Sequence, residues 1–213
     1  MQSFPGDQAS FQLPGPAGEL EVIAVPVNPS VTPKNAVAII CHPHPLFGGT
    51  MNNKVVTTLA RAFGDLGLTS VRFNFRGVGK STGVHDDGVG EIQDVLTVID
   101  WARQENPGQD IWLAGFSFGA AISAHVATMI SPRQLVSIAP PVPRFNLLEL
   151  PPINCPWLIV QGETDDVVIP QDVYAWVATR TPPPELIRIP NAGHFFHGQL
   201  MLLREKISAA LTA

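Results

Sequence analysis

The pattern of apolar and polar residues predicts short buried strands separated by amphipathic helices. Continuous apolar runs are bounded by glycine, proline and polar residues, which is typical of strands that are covered on both faces. The run Ala36–Cys41 is the clearest example. In chain order, the predicted strands cover residues 11–13, 19–27, 36–41, 69–75, 111–114, 135–139, 157–160 and 186–189. A segment rich in proline and glycine separates the first two, so we expect them to form a hairpin.

Helical spacing dominates the segments between the later strands. Val55, Leu59 and Phe63 recur at the spacing of one helix face, and Gly67 is a suitable residue to end that helix. The predicted helices cover about 50–66, 92–102, 118–129, 171–179 and 199–210. Strands that alternate with helices imply βαβ units. The predicted fold class is therefore α/β, with a mostly parallel eight-stranded sheet and helices on both faces.

The connection between the sixth and seventh predicted strands limits the size of any lid. Residues 140–156 are rich in proline and too few to form a helical cap domain. We therefore expect no cap domain and an open, shallow active site. The chain has 213 residues, 45% of them hydrophobic, and its prolines and glycines are scattered rather than clustered. This composition predicts a single domain that spans residues 1–213.

Charge and targeting patterns narrow the range of partners. The net charge is −5 and no basic run is present, so we expect neither nucleic acid nor a membrane surface as a partner. Residues 1–10 lack the pattern of a secretory signal peptide, and no apolar stretch approaches the ~20 residues of a membrane-spanning helix. These features predict a cytoplasmic protein, and they leave open whether it is a monomer or a homodimer. Cys41 and Cys155 have no disulfide or metal-site spacing and are expected to be small core residues.

The segment Gly115-Phe116-Ser117-Phe118-Gly119 carries the strongest chemical signal. It follows an apolar strand and precedes a segment rich in alanine, which is the context of a nucleophile elbow. A serine at the tip of such a turn has a strained backbone and needs nearly side-chain-free neighbours two residues away. Gly115 and Gly119 meet that requirement. Ser117 is therefore the predicted nucleophile.

A serine hydroxyl needs a base and a group that orients the base. In doubly wound sheets, chemistry takes place at the carboxyl ends of the strands, so these partners should follow the last two strands. Asp165 follows the seventh predicted strand and His194 follows the eighth. The order Ser117, Asp165, His194 is that of a serine–acid–histidine triad.

Other polar residues are weaker candidates for these roles. Asp166 competes with Asp165 but is expected to be solvated or to cap a helix. Asp94 and Asp100 are predicted to lie on the polar face of a helix, and Arg76 to fasten its own loop. Only His194 follows the eighth strand directly after a glycine, which disfavours the histidines at the remaining positions: His42, His44, His85, His125 and His197.

Five motifs stand at separate points along the chain. They are His-Pro-His-Pro-Leu-Phe-Gly-Gly (42–49), Asn-Phe-Arg-Gly-Val-Gly-Lys-Ser (74–81), the elbow (115–119), Gly-Glu-Thr-Asp (162–165) and Gly-His-Phe-Phe (193–196). Together they resemble the motifs of small, lidless serine hydrolases with the α/β-hydrolase fold. The chain is similar to dienelactone hydrolases and small carboxylesterases over nearly its whole length. Dienelactone hydrolases proper use a cysteine nucleophile, so the serine here moves the comparison toward ester hydrolysis.

The resemblance also suggests where an oxyanion would bind. One backbone donor is expected at Phe118, the residue after the nucleophile. The second should come from residues 42–49; proline lacks an N–H, which leaves His44 and Leu46, and alignment with the His-Gly-x pattern of related hydrolases favours Leu46. His44, together with Phe47 and Phe195, is a candidate to line the pocket. A metal pair formed by the histidines at 42 and 44 is disfavoured, because no carboxylate or cysteine stands nearby at ligand spacing.

The sequence therefore predicts a serine hydrolase that acts on short-chain carboxylic esters through an acyl-enzyme on Ser117. No metal or organic cofactor is expected, and the expected partner is a small-molecule ester. A thioesterase or peptidase could use the same triad, since a triad does not determine the leaving group. A non-catalytic binding module with this fold is a further alternative, but it predicts that a triad residue is missing.

Overall fold

The computed structural model describes residues 8–27 and 29–212. The first seven residues, which contribute to the prediction about signal peptides, lie outside the described residues. Eight strands form one sheet in the order β1-β2-β4-β3-β5-β6-β7-β8. The strands are β1 (Ala9–Gly15), β2 (Gly18–Val25), β3 (Ala36–Cys41), β4 (Thr69–Phe73), β5 (Asp110–Phe116), β6 (Gln134–Ile138), β7 (Trp157–Gly162) and β8 (Glu185–Ile189).

The sheet is antiparallel only at one edge. The hairpin β1–β2 joins the rest of the sheet through antiparallel pairing of β2 with β4. Every other pair of neighbouring strands is parallel, and Cys41 at the end of β3 pairs with Gly115 near the end of β5. The carboxyl ends of the parallel strands consequently share one edge, as predicted.

Helices cover both faces of the sheet. The helices are α1 (Lys54–Asp65), α2 (Val89–Glu105), α3 (Phe118–Ile130), α4 (Pro170–Ala178) and α5 (Leu200–Ala210). Helices α1 and α5 pack on one apolar core, whereas α2, α3 and α4 pack on the other. All residues of β3 are buried, and successive residues alternate between the two cores. This double burial explains why β3 is a continuous apolar run.

Helix α1 begins four residues later than predicted. Asn53 is its N-cap, and its side chain accepts a hydrogen bond from the N–H of Val55 at 2.8 Å. The backbone N–H of Met51 instead donates to Asn74 Oδ1, also at 2.8 Å, so this residue belongs to the preceding loop. An N-cap asparagine satisfies an otherwise unpaired donor of the first turn, which fixes the start of the helix.

No cap domain interrupts the described part of the sheet. Within residues 139–156, which connect β6 to β7, the structure contains only the short 3-10 turn Leu147–Glu149. The predicted α/β architecture without a cap is thus confirmed. Among the described residues, no helix combines the length and apolar character needed to span a membrane.

Candidate active site

Ser117 stands at a sharp turn between β5 and α3. Its backbone has φ 53° and ψ −119°, a conformation that is strained for a residue with a side chain. A Cβ atom at Gly115 would overlap the carbonyl oxygen of Gly119, and one at Gly119 would overlap the carbonyl oxygens of Cys41 and His42. Both flanking glycines are therefore required by close backbone packing, as the elbow pattern predicts.

The first turn of α3 presents free backbone donors beside Ser117. The N–H groups of Ala120 and Ala121 both donate to the carbonyl oxygen of Ser117. Those of Phe118 and Gly119 make no hydrogen bond within the described residues. Unpaired donors at the positive end of a helix are suited to hold an anionic oxygen.

The side chains of the three predicted triad residues form a hydrogen-bonded chain. His194 Nε2 lies 3.1 Å from Ser117 Oγ, and His194 Nδ1 lies 2.8 Å from Asp165 Oδ2. This arrangement fits an imidazole whose Nδ1–H donates to the carboxylate and whose Nε2 accepts from the hydroxyl. His194 and Asp165 are each 4% exposed. The ring of Phe116 packs against the imidazole with a centroid separation of 4.9 Å.

Asp165 is held as a carboxylate by several donors. Its Oδ1 accepts the N–H groups of Val167 and Val168, and its Oδ2 accepts Gln161 Nε2 at 3.0 Å as well as the imidazole of His194. Burial opposes ionisation, but the hydrogen bonds from His194, Val168 and Val167 outweigh it, so the pKa of Asp165 lies below its ordinary value. Gln161, at the end of β7, is a supporting residue that motif spacing did not reveal.

The competing acid and histidines lie elsewhere. Asp166 is exposed and makes no hydrogen bond to His194 among the described contacts. His125 Nε2 lies 2.7 Å from the carbonyl oxygen of Phe145, and His85 Nδ1 lies 2.9 Å from Glu91 Oε1. His197 is exposed.

His42 is a buried structural connector in the described structure. Its Nδ1 lies 2.6 Å from the carbonyl oxygen of Pro43, and its Nε2 accepts the N–H of Phe75 at 3.0 Å. Both ring nitrogens are therefore engaged by the backbone. Burial lowers the pKa of His42 from 6.5 to about 4, so the ring is neutral at pH 7. Among the described residues, no group of three or more metal-ligating side chains includes the histidines at 42 and 44.

The two candidate oxyanion donors in the loop after β3, the N–H groups of His44 and Leu46, have different surroundings. The N–H of Leu46 donates to His44 Nδ1 at 3.2 Å, which caps the 3-10 turn Pro45–Phe47. Leu46 is 69% exposed and is absent from the wall of the cavity around Ser117. His44 belongs to that wall, and its own N–H has no acceptor among the described residues. The structure thus places Leu46 outside the cavity wall, and it leaves the N–H of His44, the alternative from the same loop, without an acceptor among the described residues.

A mostly apolar cavity of about 380 Å³ opens over Ser117. His44, Phe47 and Phe195, the three candidate pocket residues, all line it. Phe47 is 85% exposed and Phe195 46% exposed, so both stand at its rim. The remaining lining residues are Pro43, Gly48, Gly49, Asn53, Ser117, Phe118, Pro141, Arg144, Phe145, Val167, Val168 and His194.

Arg76 anchors its own loop, as expected. Its partner is Asp94, and the prediction that Asp94 lies on the polar face of a helix is wrong. Arg76 Nη2 lies 2.8 Å from Asp94 Oδ1, and Asp94 is fully buried rather than on a solvated helix face. The positive charge of Arg76 compensates the negative charge of Asp94, which explains how a carboxylate on α2 can be buried. The two cysteines are buried as predicted, and burial raises the pKa of Cys155 to about 11.

Comparison with known proteins agrees with this architecture. The family model Hydrolase_4, described as "Serine aminopeptidase, S33", matches residues 33–147. An α/β serine hydrolase homologue from Coxiella burnetii is 50% identical with a TM-score of 0.95, and the match covers 98% of this chain and 100% of that one. An α/β serine hydrolase without a lid from Xanthomonas campestris is 43% identical with a TM-score of 0.96, covering 100% and 97% of the two chains.

One relative was found by comparison of sequences alone. An uncharacterised protein of Rickettsia prowazekii is 38% identical over 178 residues, which represent 78% of this chain and 74% of that protein. The family match spans more than half of the chain and includes the loop after β3 and the elbow. The chain therefore belongs to the Hydrolase_4 family of serine hydrolases and has the lidless form of the α/β-hydrolase fold.

Proposed function

We propose that this protein hydrolyses carboxylic esters through an acyl-enzyme on Ser117. The observation that carries the proposal is the chain of hydrogen bonds from Ser117 through His194 to Asp165, with distances of 3.1 and 2.8 Å. A hydroxyl, an imidazole and a carboxylate in this order can generate a serine nucleophile without a metal.

The proposed reaction proceeds in two halves. Ser117 Oγ attacks the ester carbonyl while His194 Nε2 takes the hydroxyl proton; His194 then returns that proton to the departing alcohol. Water enters and attacks the acyl-enzyme with His194 again as the base, which frees the acid and restores Ser117. Asp165, whose pKa is lowered mainly by the hydrogen bond from His194 against the opposing effect of burial, stays ionised and stabilises the imidazolium.

We assign the oxyanion to the N–H groups of Phe118 and His44. Both groups lack an acceptor within the described residues, and both residues line the cavity beside Ser117. The N–H of Leu46 is already engaged by the His44 ring. Preorganised backbone donors of this kind typically contribute about 10²–10³ in kcat each.

The shape of the cavity favours small substrates. Its volume of about 380 Å³ fits a short acyl chain and a modest alcohol, and its wall is mostly aromatic and aliphatic. With no cap domain in the described part of the chain, little apolar surface covers a long lipid chain. Short-chain esters are therefore the preferred class.

The family description gives peptide hydrolysis as a second candidate. An aminopeptidase must bind the ammonium group of its substrate, for which a carboxylate is the usual partner. Within the described wall of the cavity, no aspartate or glutamate is present, and the one permanent charge is the cation of Arg144. This charge balance favours ester substrates over peptides with a free amino terminus.

A substrate panel tests the proposal. We expect the wild-type protein to cleave p-nitrophenyl acetate and butyrate with kcat/KM far above that for the matching thioester and for alanine p-nitroanilide. Ser117→Ala should remove this activity, whereas Ser10→Ala, an exposed serine in β1, should keep it. Faster cleavage of the amide or thioester, or full ester activity in Ser117→Ala, would overturn the proposal.

A further inference from the structure

Arg144 brings an unpaired positive charge to the cavity. It follows β6 in the connection to β7 and lines the cavity that also contains Ser117. It has the one permanently charged side chain among the described residues of that wall. The ion pairs and side-chain hydrogen bonds found in the described structure include no acceptor for its guanidinium.

The backbone that carries Arg144 is held firmly. Phe145 and Asn146 have φ values of 55° and 53°, which are uncommon for residues with a side chain. The His125 ring holds the carbonyl oxygen of Phe145 at 2.7 Å, and Trp176 Nε1 donates to the carbonyl oxygen of Leu147 at 3.2 Å. A strained segment that is anchored from α3 and α4 fixes the backbone next to Arg144, whose exposed side chain lines the cavity.

The other polar side chains of the cavity wall also offer hydrogen-bond donors. His44 Nδ1 accepts the N–H of Leu46, so the ring proton is on Nε2, which has no acceptor among the described residues. Asn53 Oδ1 accepts the N–H of Val55, which leaves its amide hydrogens without a described acceptor. Apart from Ser117 and His194, the polar side chains of this wall are therefore donors, and an acceptor-only group would satisfy them.

Arg144 shares the cavity wall with Ser117. The His44 ring, in the same wall, lies 5.0 Å from the ring of Phe118, the residue that follows the nucleophile. Burial and the positive field of His85 lower the pKa of His44; Glu91 and Asp87 oppose this, and Arg144 makes a smaller contribution in the lowering direction. An anion bound by Arg144 would therefore share the cavity with the reacting ester.

We propose that the preferred substrates are esters that carry a carboxylate, which Arg144 binds in bidentate fashion with support from His44 and Asn53. This inference rests on the proposed ester hydrolysis and names its substrate class. A planar guanidinium matches a carboxylate in both geometry and charge. The carboxylate can belong to the acyl half, as in a dicarboxylic monoester, or to the alcohol half.

Matched pairs of substrates separate these two sources. For the acyl half, monoethyl glutarate is compared with ethyl glutaramate, in which a neutral carboxamide replaces the carboxylate. For the alcohol half, 4-acetoxybenzoate is compared with 4-acetoxybenzamide. The measured quantity is the ratio of kcat/KM for the anion to that for its amide, at low ionic strength, where charge pairing is least screened.

Variants of Arg144 then show whether the ratio depends on its charge. We expect a ratio of roughly tenfold or more in the wild type for one of the two pairs, as for a hydrogen bond to a charged group. Arg144→Gln should lower it toward one, Arg144→Glu should invert it and Arg144→Lys should keep part of it. The control is Arg133→Gln, an exposed arginine that precedes β6 at the opposite end of the strands and should leave the ratio unchanged.

The outcomes distinguish this inference from the function on which it rests. A ratio near one for both pairs, in a protein that cleaves the ester bond of the neutral carboxamide analogues, would overturn the carboxylate preference and leave ester hydrolysis intact. Equal ratios in Arg144→Gln and Arg133→Gln would likewise overturn the role of Arg144 without affecting ester hydrolysis. Failure of the wild-type protein to cleave any of the four compounds or p-nitrophenyl acetate would refute both.

Discussion

Arg76 and Asp94 form a bidentate ion pair that joins the loop after β4 to helix α2. Arg76 Nη2 donates to Asp94 Oδ1 at 2.8 Å and Arg76 Nε donates to Asp94 Oδ2 at 3.1 Å. The backbone N–H of Arg76 adds a third hydrogen bond, to Asp94 Oδ2 at 3.0 Å. The side chain of Asp94 is fully buried, and that of Arg76 is 11% exposed. Removing one partner of such a pair leaves an uncompensated charge away from water.

Replacement of Asp94 should therefore be strongly destabilising. We expect Asp94→Ala to lower the free energy of unfolding by about 3–5 kcal/mol, measured by urea denaturation. Asp100→Ala, an exposed aspartate on the same helix, should change it by less than about 0.5 kcal/mol. Equal effects of the two substitutions would contradict the role of the buried pair.

The buried ring of His42 predicts a pH dependence of stability. Because burial lowers its pKa from 6.5 to about 4, the unfolded chain binds a proton that the folded chain excludes between these values. The free energy of unfolding should thus fall as the pH drops through this window, by about 3 kcal/mol from this group, and stop falling on its account below the lower value.

Two measurements check the assignment to His42. The slope should be reduced in His42→Gln and unchanged in His197→Gln, an exposed histidine. In the wild-type protein, the NMR resonance of the His42 ring should not titrate near pH 6.5, which keeps the test decisive if His42→Gln fails to fold. Titration of that ring near pH 6.5 would be incompatible with a neutral, buried ring whose two nitrogens are both hydrogen-bonded.

Two glycine substitutions should have opposite effects. Gly64 lies within α1, and beyond the helix's own backbone and its chain neighbours no atom lies within 4 Å of an added Cβ, so Gly64→Ala should raise the free energy of unfolding by about 0.5–1 kcal/mol. At Gly119 the added Cβ would overlap the carbonyl oxygens of Cys41 and His42. Gly119→Ala should lower both thermal stability and activity, and wild-type stability in that variant would refute the close packing of the elbow.

The oxyanion assignment predicts a difference between two substitutions at one position. His44 has φ −53°, close to the value that proline requires, so His44→Pro removes the N–H at little backbone cost. Both His44→Pro and His44→Ala lose the imidazole. We expect kcat of His44→Pro to be about 10²-fold below that of His44→Ala, with a smaller change in KM. Equal kcat values would exclude the N–H of His44 as a donor.

The alternation of strands and helices and the elbow could be predicted from sequence because the forces that define them are local. Strands buried on both faces, such as β3, must be apolar throughout, and the turn at Ser117 excludes a Cβ at Gly115 and Gly119. The eighth strand followed from the same apolar pattern, and His194 was placed in the loop after it because chemistry in such sheets lies at the carboxyl ends of the strands. These features needed no knowledge of distant contacts.

The features that sequence did not reveal depend on side chains far apart or on local capping. Asp94 was expected on a solvated face because its partner Arg76 stands 18 residues earlier in the chain. Leu46 was favoured as a donor because nothing in the sequence shows that its N–H is captured by the His44 ring. The predicted start of α1 is four residues too early because the apolar spacing does not show that Met51, which precedes the N-cap Asn53, is hydrogen-bonded to Asn74 in the loop after β4.

Covalent labelling tests the central claim most directly. A fluorophosphonate reacts only with a serine whose hydroxyl is activated, so the protein should gain the mass of one phosphonyl group, located on the peptide that contains Ser117. The adduct should be absent in Ser117→Ala and form much more slowly in His194→Ala, whose base is missing. A folded wild-type protein that remains unlabelled, or is labelled at another serine, would contradict the account.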